Sequence, residues 1–80
     1  MLVTSAQQLA ITVRDHRKQH QFSQAAVADR VGLRQETISA FENKAESTKL
    51  DTLFRILAAL NLEVHVVPRG TKVSGWDQEW

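Results

Sequence analysis

Arg34, Gln35, Glu36 and Ser39 lie close together in the chain. At 3.6 residues per turn they share one side, and the N-terminal end, of a helix running from about Arg34 to Asn43. Their chemistry suits the polar edges of nucleic-acid bases. The planar amide of Gln35 can accept from adenine N6 and donate to N7 together. Arg34 matches guanine O6 and N7 or a phosphate, and Glu36 can accept from cytosine N4. Thr37 and Ser39 can bond phosphate or base. Ser23 and Gln24 open the preceding helix, where N-terminal amides favour a phosphate. Lys44 and Lys49 add non-specific attraction.

Positioning these groups needs a short hairpin of helices. Ser23 is an N-cap residue, and the helix it opens buries Val27, Ala28 and Val31. Gly32 follows where a left-handed residue can end that helix, and Leu33 plugs the turn. The next helix turns Ile38 and Phe41 inward, opposite its polar side. The spacing therefore predicts a helix-turn-helix whose second helix lies in a major groove.

The rest of the chain supplies the support. Ser5 with Gln8 predicts a capping box for a first helix, with Ala6, Leu9, Ala10, Val13 and Arg17 on its inner face. This helix ends near His20 and Gln21. Thr48 with Asp51 predicts a similar cap for a fourth helix, striped by Leu50, Leu53, Phe54, Leu57 and Leu60. Past Asn61 the period becomes two. Leu62, Val64 and Val66 alternate with Glu63 and His65, which predicts one β-strand stopped by Pro68 and Gly70. A lone strand leaves its backbone groups unpaired, so a partner strand from a second copy is expected. The architecture is mainly α, four to five helices and one C-terminal strand paired across a dimer. Residues 1–61 form the helix-turn-helix domain, 62–70 the dimerisation strand and 71–80 a flexible tail. Two tryptophans in that tail, Trp76 and Trp80, are expected to anchor a protein partner.

Composition narrows the function classes. The chain has 80 residues and no cysteine, which excludes disulfides and thiolate-bound zinc. Its net charge of +1 carries no argument for nucleic acid by itself, so charge placement has to. Apolar runs are too short to span a bilayer and no secretory leader is visible, so a soluble intracellular protein is expected. No glycine-rich phosphate loop or Ser-His-acid set is present, so neither an enzyme nor a cofactor is expected. His16 and His20 have a metal-ligand spacing, but HRKQH lacks a third ligand and reads as a solvated face.

Over Leu9 to Leu62 the chain resembles the Xre/lambda-repressor-like helix-turn-helix family. The shared pattern is Arg17, Phe22-Ser23-Gln24, Val27-Ala28, Val31-Gly32-Leu33, Gln35, Ile38-Ser39 and Phe41-Glu42-Asn43. The resemblance implies an internal ion pair between Arg17 and Glu42, which takes both out of base reading. Within the family the chain is most similar to the HipB antitoxins of HipA-type toxin–antitoxin systems. It shares with them a basic residue at Arg34, the single strand after the fourth helix and a polar tail closing on Glu79-Trp80. That likeness implies a homodimeric autorepressor on a palindromic operator that also holds a HipA-like kinase through Trp76 and Trp80. Glu36 departs from the small residue found there in HipB antitoxins, so their operator sequence does not carry over. Alternatives are a stand-alone Xre-type repressor and an interaction adaptor that has lost DNA binding.

Overall fold

The computed structural model describes residues 2–70. These contain four α-helices, α1 (Ala6–Gln19), α2 (Gln24–Val31), α3 (Gln35–Asn43) and α4 (Leu50–Ala59), with a 3-10 turn (Ala45–Ser47) before α4. Ser5 Oγ accepts from Gln8 N at 3.1 Å, as expected of the first cap, but the reciprocal bond shifts by one residue. Gln8 Oε1 accepts from the backbone N–H of Thr4, not of Ser5. Ser23 caps α2 through Ala26 N at 3.0 Å. The predicted Thr48 cap does not form. The 3-10 turn uses Thr48 as its own end, and Lys49 precedes α4 with no side-chain cap bond. Arg34 likewise stands just outside α3, in extended backbone.

Three helices end by the same device. Gln21, Gly32 and Asn61 take left-handed φ values of 61°, 67° and 58°. The residue after each then donates back across the last turn: Phe22 N to Arg17 O, Leu33 N to Ala28 O and Leu62 N to Leu57 O. Phe22, Leu33 and Leu62 fold onto the core, so each stop also places an apolar plug. Of the three, only the glycine is predictable from sequence, because glutamine and asparagine carry no such obligation. A Cβ at Gly32 would meet only Arg55 Nη2, at an ordinary 3.7 Å. Gly32→Ala is therefore expected to cost the conformational penalty alone, about 1–2 kcal/mol. Urea denaturation checks this, and an unchanged midpoint would show that the α2 end tolerates another geometry.

Val13, Val27, Ile38, Phe41 and Ile56 form the centre of the core, one or two from each helix. Two arginines tie α2 to α4 reciprocally. Arg30 Nη1 donates to Ala59 O at 3.0 Å, and Arg55 Nη2 donates to Val31 O, so each helix end receives a cation from its neighbour. Arg30 also lies over the Phe22 ring, 4.3 Å from its centre.

The stripe on α4 divides. Leu57 and Leu60 are buried, whereas Leu50 and Phe54 are 71% and 52% exposed. Residues 62–68 follow with no helix and no strand. The predicted strand is thus not formed among the described residues; a strand exists only with a ladder partner, which is expected from a second copy. Val66 stands 87% exposed there. Among the described residues no helix is long and apolar enough to cross a membrane.

Candidate nucleic-acid interface

The site begins with a buried ion pair. Arg17 on α1 donates from Nε and Nη2 to the two carboxylate oxygens of Glu42 on α3, at 2.7 and 3.0 Å. Its Nη1 donates to Phe22 O at 2.8 Å, inside the link between α1 and α2. Both side chains are less than a tenth exposed. This fork geometry is the strong form of a charge pair, and it fixes α3 against α1 and the start of α2 together. The pairing implied by the family resemblance is present.

From this pair a chain of bonds runs outward. Gln24 Nε2 donates to Glu42 Oε1 at 3.0 Å. Gln35 Nε2 donates to Gln24 Oε1 at 3.3 Å. Gln35 is itself exposed on the first turn of α3. One of its amide hydrogens is engaged by Gln24, which leaves the second hydrogen and Oε1, the pair that adenine N7 and N6 require. The expectation for Gln24 changes accordingly. Its side-chain amide is committed within the protein, so a phosphate at this end of α2 would meet the first-turn backbone N–H groups. Gln24 then acts on Gln35 by holding it.

The other expected residues spread around this centre. Arg34 makes no cap bond and is exposed, as is Glu36. Together with Thr37 they border an open cleft of about 470 Å³ between the start of α3 and the start of α4. Ser39 is half-buried, and its Oγ and carbonyl both accept from Asn43 Nδ2. Lys44 is exposed at the end of α3, away from the cleft lining. Ser23 spends one lone pair on the cap and keeps a hydroxyl hydrogen to give. Ser47, Thr48 and Thr52, with Lys49, complete the cleft wall. In the sequence Thr48 is assigned only a capping role and Ser47 and Thr52 no site role; Ser47 Oγ donates to Lys44 O at 2.9 Å. The signal for Ser47 and Thr48 is a polar link between two apolar stripes, and that for Thr52 a polar position in the first turn of α4; only the packing of α4 brings them beside α3. Trp76 and Trp80 lie outside the described residues.

Two short helices at a left-handed glycine, the second one polar and held outward by the first, define a helix-turn-helix domain of the DNA-binding type. The Helix-turn-helix family model matches residues 13–67. Antitoxin HipB of Escherichia coli is 39% identical over 62 residues, in 78% of this chain and 70% of its own length. The same antitoxin from a second strain of that species aligns over 66% of its length. Antitoxin HigA1 of Mycobacterium tuberculosis is 45% identical over 51 residues, in 64% of this chain and 34% of that protein. Among solved structures, a HipA-HipB-O2-O3 complex matches with a TM-score of 0.84 at 35% identity, over 86% of this chain and 97% of that one. A HipB-O4 20mer complex matches equally well. The chain belongs to this helix-turn-helix family, in the branch of the HipB antitoxins. That family consists of DNA-binding regulators, not enzymes.

Proposed function

We propose that this chain is a sequence-specific DNA-binding antitoxin and transcriptional autorepressor that neutralises a HipA-like kinase toxin. The observation that carries the DNA-binding part is the wired glutamine: Gln35 projects from α3 while Gln24, Glu42 and Arg17 hold it from behind. A side chain fixed before binding loses little entropy on meeting a base, so it can discriminate. Gln35, Arg34, Glu36 and Ser39 read bases. Ser23, Gln24 through its backbone, Thr37 and Lys44 meet phosphates. HipB, 35% identical, has been solved in assemblies with HipA and O2-O3, which supports both partner classes for this chain.

A homodimer on a palindrome completes the reading. Leu50, Phe54, Val64 and Val66 leave apolar surface outside the core. A second copy pairs along residues 62–67 as a strand, and Trp76 and Trp80 reach the toxin. A solution mass of one chain at working concentration would remove the dimer.

Binding to a fragment of its own promoter tests the DNA reading. A dimer meeting about 6–10 phosphates should lose roughly 10³–10⁵ in affinity between about 50 and 200 mM salt. A curve flat with salt would instead favour the adaptor. Gln35→Ala is expected to weaken operator binding by about 1–3 kcal/mol while random DNA binds nearly as before. Equal loss on both would assign Gln35 to the backbone, not to a base.

A further inference from the structure

The histidine pair on α1 has no part in the interface above, and the fold changes its meaning. His16 and His20 stand one turn apart at the C-terminal end of α1, their ring centres 4.2 Å apart and their planes inclined at 48°. Neither ring is hydrogen-bonded or ion-paired among the described residues. Together with Asn61, from the end of α4, they border a cleft of about 310 Å³ floored by Phe22 and Leu60. No third ligand lies near the pair in sequence. The structure brings Asn61, far from the pair in sequence, to the same cleft, its backbone set by a left-handed φ of 58° and an N–H bond to Ala58 O.

We infer that His16 and His20 form a two-imidazole chelate for a late first-row divalent cation, Ni²⁺, Cu²⁺ or Zn²⁺, with the Asn61 amide oxygen available as a further donor. Imidazoles bound side by side at about 2.0–2.1 Å from one metal have ring centres roughly 4.5–5 Å apart. The observed 4.2 Å is close to that separation. A near-right-angle bite of this kind favours Cu²⁺ and Ni²⁺, which take square-planar or tetragonal sites, and imidazole suits all three ions. The end of α1 adds its partial negative charge to the attraction. Arg30 lines the same cleft as a like charge, but its guanidinium is already engaged by Ala59 O and the Phe22 ring. Bridging two turns of α1 and the end of α4, the ion would clamp the two helix ends that flank the α1–α2 link.

The test is thermal denaturation of the full chain with and without excess NiCl2. The wild type is expected to melt a few degrees higher with the ion, because a ligand bound only by the native state stabilises it. His16→Ala and His20→Ala should each melt near the wild type without metal, since His20 is exposed and His16 half-exposed, and lose the shift. Asn61→Gly keeps the left-handed backbone and should reduce the shift. His65→Ala, which removes the other described histidine, should leave it whole. A shift retained in the His16 and His20 variants, or lost in the His65 variant, would overturn the assignment, as would no shift in the wild type.

Discussion

Glu42→Ala is expected to cost about 3–5 kcal/mol of folding stability, because it strands the Arg17 guanidinium in a site less than a tenth open to water. An 80-residue domain has about 4–12 kcal/mol in total, so the variant should be partly unfolded near body temperature. Urea denaturation would show a large fall in midpoint with little change in slope. Replacing Arg17 and Glu42 together by apolar residues of similar volume should cost far less than the single change, since no charge is left unpaired. A loss under about 1 kcal/mol for Glu42→Ala would mean that water reaches the pair. The double variant separates stability from recognition. It folds but lacks the carboxylate that anchors Gln24, so Gln35 should lose its fixed orientation and the operator preference should fall. Strong discrimination in a folded double variant would show that Gln35 needs no support from behind.

The second large effect is expected at the tail. Removing residues 75–80 should abolish capture of a HipA-like kinase and leave operator binding intact. Trp76→Ala and Trp80→Ala divide that loss, and at least one should cost about 2 kcal/mol or more, as buried tryptophans do at the centre of interfaces. Co-purification with the co-expressed kinase, followed by titration calorimetry, reads both. Full-affinity capture by the shortened chain would place the toxin contact on the helical body, where the exposed Leu50 and Phe54 become the next residues to change.

The helix hairpin that carries the candidate interface was largely legible before the fold because its requirements are local. Ser23 as a cap, Gly32 as a stop and the apolar spacing of Val27, Val31, Ile38 and Phe41 act within one or two turns, so residue type and spacing determine them. The same periodicity placed Gln35 and Glu36 outward. The Arg17–Glu42 pair came from family resemblance, since twenty-five residues of sequence separate its members. Helix ends were read less well: the cap of α4 went to Lys49 in place of Thr48, and two of the three left-handed stops fell on residues that do not demand one.

By itself, then, the sequence determined a two-helix unit with a polar outer face and the branch of its family. Tertiary structure decided which polar groups are spent internally and which remain to act. Gln24 turned inward to Glu42 and Gln35, three hydroxyls gathered beside α3, Asn61 came to the histidine pair, and half of the α4 stripe was left outside the core. The physical reason is range. Capping, turn chemistry and periodicity are short-range and written in neighbouring residues, whereas a hydrogen bond or cleft between helices depends on how packed side chains set one helix against another.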